Sequence, residues 1–314
     1  MVRFAIFGDT HGHLRLMFQL ARFWQKNHGV HLDGILQCGD LGFFPNPDML
    51  DKATRKFADR DPEELGFSRY FVRPEPPRTA PPRSDPCLER TLRGDASDLN
   101  TVRCPVIFCH GNHEDFQALE RLPVNQVFVA VDVFDRVHLL RSGYIVTHAG
   151  LQLAALGGGV EPEGVENDHG LAEPWKWVGY RACERLLQLH RGAVDMLLAH
   201  CAPHCYEGGA PAYGSKRLRQ VIEHLQPTCV FFSHHKGPIA PYAIGRTNCF
   251  WLNDVNFATG SGGINVCGNL NSGCMGILEW ETSGEYSFDV VAEPWFAGVT
   301  PVNWQAGDSL RPGG

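Results

Sequence analysis

Five short apolar runs, each followed at once by an aspartate, an asparagine or a histidine, constrain this chain more than any other feature. They cover 2–7, 34–38, 106–109, 194–199 and 228–232. Each is short and β-rich, as expected of strands buried on both faces. Stretches of helical spacing lie between them. Residues 14–27 carry Leu16, Leu20, Phe23 and Trp24, residues 180–190 carry Ala182, Leu186, Leu187 and Leu189, and 215–225 carry Leu218, Val221, Ile222 and Leu225 before Pro227. Strands alternating with helices predict an α/β sheet. The 314 residues suffice for two domains or one large one.

The residues after the runs carry the chemistry. They read Gly8-Asp9-Thr10-His11-Gly12, Gly39-Asp40, His110-Gly111-Asn112-His113-Glu114, His200 and Ser233-His234-His235-Lys236. In open α/β sheets ligands bind beyond the carboxyl ends of the strands. Carboxylate, amide oxygen and imidazole are the hard-to-borderline ligands that hold divalent ions. The adjoining glycines allow sharp turns and close backbone approach. Singly, each motif has an ordinary structural explanation as a turn, a helix cap or a core histidine. In order, each at a strand end, they point to one metal site.

Two regions break the alternation. Residues 61–103 hold Pro62, Pro74, Pro76, Pro77, Pro81, Pro82 and Pro86, with arginines among them, and read as an irregular surface insertion, either a solvated loop or one that overhangs the cleft and contacts substrate without contributing to the fold. Residues 257–276 are rich in Gly and Asn. Alternating patterns at 124–133, 137–147, 241–252 and 275–291 predict antiparallel strands in a second sheet or at a sheet edge. Residues 1–292 thus form the expected domain and 293–314 a tail.

Charge and cysteines narrow the class. The 28 basic and 35 acidic residues give a net charge of −7, which argues against a duplex-DNA binder with a basic face. No apolar run approaches the ~18 residues that span a bilayer, so no membrane partner is expected. The N-terminus lacks the longer apolar region of a signal peptide. The eleven cysteines include no Cys-x-x-Cys pair, and many lie inside apolar runs. They read as buried thiols in a reducing cytoplasm.

The ordered motifs resemble those of the calcineurin-like metallophosphoesterase superfamily: Asp-x-His, Gly-Asp, Gly-Asn-His-Asp/Glu, a lone His, then Gly-His-x-His. The resemblance implies a four-layer α/β/β/α sandwich with two mixed sheets and a metal site at the C-terminal strand ends. It implies two divalent ions, Mn, Fe or Zn. Asp9, His11 and Asp40 would hold the first, and Asp40, Asn112, His200 and His234 the second. His113 would be the catalytic, non-ligand histidine at the leaving group. Two stretches, 217–233 and 155–159, loosely resemble the lariat RNA debranching enzyme, although Asp9 stands where that family typically has Cys. The phosphoprotein phosphatase branch fits less well, because His110 precedes Gly111 and Leu41-Gly42-Phe43 follows Asp40.

The main departure is Lys236, at the family's second histidine. A protonated lysine has no lone pair to ligate with. The first ion would then be partly occupied, and Lys236 would contact a substrate phosphate oxygen; His235 turning in is the alternative. The expected activity is metal-dependent hydrolysis of a phosphodiester in a nucleotide or RNA-like substrate. The rival readings are a phosphomonoesterase of metabolites or phosphoproteins and a non-catalytic scaffold.

Overall fold

The computed structural model describes residues 1–72, 85–165, 167–169, 171, 173–205, 213–235, 239–259 and 266–305. The first half runs β1 (Val2–Phe7), α1 (Leu14–His28), β2 (Gly34–Gln37), α2 (Lys52–Ala58), α3 (Pro86–Arg93), β3 (Val106–Phe108), α4 (Phe116–Arg121), β4 (Phe128–Ala130) and β5 (Val137–Leu140). Then come β6 (Ile145–His148), β7 (Leu151–Leu156), α5 (Tyr180–Leu187), β8 (Met196–Ala199), α6 (Lys216–Leu225) and β9 (Cys229–Phe232). The chain closes with β10 (Tyr242–Ile244), β11 (Thr247–Trp251), β12 (Phe257–Thr259), β13 (Val266–Leu270), β14 (Met275–Trp280), β15 (Tyr286–Val290) and α7 (Pro294–Ala297).

Two large mixed sheets result, ordered β15-β14-β1-β2-β3-β5-β4 and β10-β11-β9-β8-β7-β6. Side-chain alternation along β1 shows the layering. Phe4 and Ile6 join a core shared with Leu153, Leu198 and Phe231 of the other sheet. Ala5 and Phe7 join a second core with Leu16, Leu20 and Trp24 of α1. A third core lies between β8 and β9 and helices α5 and α6, through Leu197, Val230, Leu186 and Ile222. The central strands are thus covered on both faces, which is why their sequences are continuously apolar. The fold is the four-layer α/β/β/α sandwich. The described helices include none long and apolar enough to cross a membrane. The ten cysteines with described side chains are all free, and all but Cys87 and Cys205 are buried.

The proline-rich segment differs from its reading as a surface insertion. The reason is where the prolines sit. Pro62 and Pro86 each open a helical turn, as does Pro47 ahead of the segment, and the preceding Asp61, Asp85 and Asn46 cap these turns by accepting backbone N–H bonds. Proline at the first helical position loses no bond that the helix needs. The turns present Phe67, Phe71, Leu88 and Leu92 to the core that packs on α1, where each is 4% exposed or less. Phe71 packs edge-on against Phe43 at 4.9 Å and against Phe67 at 5.2 Å. Residues 73–84, which include the segment's other five prolines, lie outside the described residues. The stretch read as a tail also differs: Trp295, Phe296, Val299 and Trp304 are buried in the same core as α1.

These burials predict that Phe67→Ala lowers the unfolding free energy by about 3–5 kcal/mol, the usual cost of emptying a buried phenylalanine site. Urea unfolding measures it. A change within about 0.5 kcal/mol, typical of surface positions, would place the segment outside the core.

Candidate metal centre

The parallel strands of both sheets deliver their following residues to one spot. Asp9 follows β1, Asp40 follows β2, Asn112 follows β3, His200 follows β8 and His234 follows β9. Ligand atoms of Asp9, Asp40, His200 and His234 all lie within 4.8 Å of one another. Asn112 joins them, its Oδ1 2.9 Å from His200 Nε2. His11 Nε2 lies 3.8 Å from Asp9 Oδ2 and 3.9 Å from Asp40 Oδ2. All six residues read as ligands therefore meet.

Local backbone geometry brings them there. Six described non-glycine residues have positive φ, and three of them are His11, Asp40 and His234, at 42°, 47° and 65°. Such conformations are disfavoured for residues with a Cβ and persist where surrounding structure enforces them. Gly111 is required by contact: a Cβ there would overlap the Asp40 carboxylate. Asp40 Oδ1 accepts the backbone N–H groups of Asn112 and His113 at 2.6 and 2.7 Å. His200 Nδ1 lies 3.0 Å from the Cys38 carbonyl, the geometry of a donated N–H that leaves Nε2 free to ligate.

Glu114 fixes the same loops. It is 4% exposed. Its carboxylate accepts the N–H of Leu41, at 2.9 Å, and of Phe43. Burial, with the nearby Asp40 charge, pushes its pKa up to about 8.

The electrostatics call for a cation. Burial opposes charge on His11, but Asp40, Asp9, Glu64 and Asp254 outweigh it and raise its pKa to about 9. Burial likewise disfavours His200 as a cation, yet Asp40 and Asp9 hold its pKa well above the ordinary value. The carboxylates thus keep protons on these rings where no metal takes their place. Asp9 is 3% exposed, and its Oδ1 has no hydrogen-bond partner. An orphaned buried carboxylate oxygen among imidazoles and a second carboxylate is a donor set that fits a divalent cation.

His113 stands beside the cluster and outside its ligand groups. Its ring centroid is 5.9 Å from that of His11. Its Nδ1 lies 2.9 Å from Asp51 Oδ2, and this hydrogen bond, against burial, raises its pKa. Lys236 lies outside the described residues. His235 does not turn in, because its Nε2 accepts the Ala202 N–H at 2.9 Å.

Two residues at the site were not read from the sequence. Asp51 was unmarked because its partner is distant in the chain. Asp254 lies with Asp9 and His11 in a second group whose ligand atoms fall within 4.8 Å. The rule that found the others would have found it, since Asp254 follows β11, which runs parallel to β9. The alternation at 241–252 instead drew attention to the antiparallel β10–β11 pairing.

Residues 2–238 match the calcineurin-like phosphoesterase family. The chain belongs to that family. This phosphoesterase is a hydrolase of phosphoric ester bonds with a divalent metal centre. Two solved structures are similar. TT1561 of Thermus thermophilus is 14% identical, covers 93% of this chain and 99% of its own, and has a TM-score of 0.45. A novel phosphatase from Mycoplasma pneumoniae is 12% identical, covers 96% and 98%, and has a TM-score of 0.39. No curated protein matches the chain.

Replacing Glu114 tests the scaffold of this phosphoesterase. Glu114→Ala leaves the buried amides of Leu41, Phe43 and Gly111 unpaired, at about 1–3 kcal/mol each. The chelated protein should lose that stability in urea unfolding, and Glu114→Gln should recover part of it through the oxygen it keeps. Equal stability of Glu114→Ala and wild type would remove Glu114 from this role.

Proposed function

We propose that this phosphoesterase hydrolyses a phosphodiester in a nucleotide or RNA-like substrate. The observation that carries catalysis is the Asp51–His113 pair standing beside the carboxylate–imidazole cluster. In this reading Asp9, His11 and Asp40 serve one ion, and Asp40, Asn112, His200 and His234 the other, with Asp40 shared. Two such ions stabilise charge on the attacking and leaving oxygens of a phosphoryl displacement and lower the pKa of water. Asn112 contributes a neutral oxygen, so the site keeps positive charge for a phosphate anion. His113 protonates the leaving alkoxide from Nε2 while Asp51 holds Nδ1 and favours the charged ring.

A neighbouring cavity supports the nucleotide-like substrate. It measures about 890 Å³ and is lined by Trp175, Trp177, Tyr144, Tyr180, Arg141 and Arg185, among others. None of the clustered residues lines it, so in this reading it would serve as a subsite and not as the reaction centre. Trp177 forms a bridge with Gly159, and a Cβ on Gly159 would stand 3.7 Å from both Asn112 Oδ1 and His234 Nε2. Aromatic faces with guanidinium groups are what bases stack on. The likeness of 217–233 to the debranching enzymes points the same way.

A panel of aryl and nucleotide mono- and diesters, assayed with Mn²⁺, Fe²⁺ and Zn²⁺, tests the proposal. Diester turnover abolished by EDTA is expected; turnover of monoesters alone would replace it with the monoesterase reading. Inactivity on the whole panel would favour a scaffold. His113→Ala should lower kcat by about 10²–10⁴ while metal content stays unchanged. Loss of metal together with rate would make His113 a ligand. Asp51 raises the His113 pKa, and a general acid must be protonated. Asp51→Asn should therefore move the alkaline limb of the kcat–pH profile to lower pH. An unmoved limb would dissociate Asp51 from the proton donor.

A further inference from the structure

The first ion has a gap in its shell. The family's second histidine is Lys236 here, and the neighbouring His235 is held by the Ala202 N–H at 2.9 Å. The structure offers a carboxylate from elsewhere. Asp254 brings a ligand atom within 4.8 Å of those of Asp9 and His11, the two residues assigned to that ion alone.

The placement of Asp254 is built in. Leu252 N–H donates to the Phe232 carbonyl at 2.9 Å, continuing the β9–β11 pairing towards the site. Asn253 N–H donates to the Gly273 carbonyl at 2.9 Å, and Val255 N–H donates to the Asp9 carbonyl at 2.7 Å. The turn bearing Asp254 is therefore clipped on both sides and tied to the first motif itself. Gly8 serves this contact, since a Cβ there would overlap the Asn253 carbonyl. Asn253 Oδ1 accepts the Asp254 N–H at 2.9 Å, and Asn271 Nδ2 donates to the Asp254 carbonyl at 3.2 Å. The Asp254 carboxylate itself takes no hydrogen bond from any described residue.

A second observation points to a cation between these groups. Asp9 is 3% exposed, and its Oδ1 lacks a hydrogen-bond partner while lying 3.5 Å from His200 Nδ1. Two carboxylates do not approach in a buried site without a counter-charge, and the imidazole of His11 belongs to the same group. Carboxylate oxygen is at least as suitable as imidazole for a hard divalent ion such as Mn²⁺.

We propose that Asp254 completes the first cation site, in place of the imidazole absent at position 236. The proposal rests on the dinuclear reading above and changes one expectation from the sequence. With Asp254 present, the first ion is held firmly and not in part. Substituting a carboxylate for an imidazole also adds one negative charge to that ion's shell, which favours Mn²⁺ over the more imidazole-loving Zn²⁺.

The test is metal stoichiometry on the full chain, loaded with Mn²⁺, dialysed and measured by elemental analysis and Mn²⁺ electron paramagnetic resonance. Wild type should hold two ions per chain with the signal of a coupled pair. Asp254→Ala should hold one, uncoupled, with first-site affinity lowered by at least the roughly 10–100-fold that loss of an outer-shell partner already costs. Asp254→Asn keeps the side chain's shape and should show an intermediate loss with wild-type thermal unfolding, so a misfolded Ala variant does not decide the matter. His234→Ala should instead spare the Asp254 site. Unchanged stoichiometry and affinity in both Asp254 variants would overturn the proposal, whether wild type holds one ion or two. A wild type that binds no Mn²⁺ would overturn the dinuclear reading itself, and the role of Asp254 with it.

Discussion

A carboxylate as deeply buried as that of Asp40, at 1% exposed, is costly unless its charge is matched and its lone pairs are filled. Much of the site follows from meeting that demand. Asp40 Oδ1 is filled by two consecutive backbone amides, of Asn112 and His113. That contact requires a bare Gly111, and it fixes the loop after β3 against the loop after β2. Oδ2 is left facing His200 Nε2 at 3.4 Å and His11 Nε2 at 3.9 Å. One side chain thus ties two strand ends of the first sheet together and turns its second oxygen towards a histidine from the second sheet. The histidines hold its carboxyl well below the ordinary range despite burial. Divalent cations sharing the Asp40 carboxylate would offset its charge in the same way.

The support reaches outward in identifiable steps. Glu114 accepts the amides that follow Asp40 and is itself fixed by the loop it closes. Phe43, one of those amides' residues, packs on Phe71 from the proline-rich segment. The same segment sends Asp61 to His13, at 3.0 Å, and Glu63 to Arg15, at 3.0 Å, beside the first motif. The connection between β2 and β3 is therefore the wall of the site. Asp51, at its start, reaches His113 directly. A loop that merely overhung the cleft would need none of these buried contacts.

How much of this was legible in the sequence depends on the range of the interaction. The strands and the polar residues after them were legible because burial on both faces writes itself into each run, and because the polar residue comes next in the chain. The six residues read as ligands converge for that reason. Prolines misled where they were counted without their neighbours: Asp61-Pro62 and Asp85-Pro86 are capped helix starts, although the same residue elsewhere is a breaker. Trp295 and Trp304 lay beyond the last alternating pattern, and nothing local distinguishes a buried tryptophan there from one in a tail. Asp51 acts through a partner far away in the chain, His113, and nothing local marks it. Asp254 obeys the strand-end rule after β11, but the antiparallel alternation of β10 and β11 masked it.

The backbone strain at the site gives these contacts an energetic meaning. His11, Asp40 and His234 each hold a left-handed conformation, at a cost on the order of 1–3 kcal/mol apiece. A bound cation returns stability as RT ln(1 + [L]/Kd), about 4.1 kcal/mol when its concentration is about 1,000 times Kd. The two quantities are comparable, so metal binding alone does not comfortably enforce three strained residues. The geometry has to be imposed by what surrounds it: the inter-sheet core, the Glu114 clasp, the aromatic wall and the clipped turn at Asp254. A site assembled in this way is pre-organised, with its ligands held apart from relaxed alternatives before the ion arrives. That is the arrangement in which burial of Asp9 and Asp40 becomes tolerable, because the charge that offsets them is always met by the same geometry.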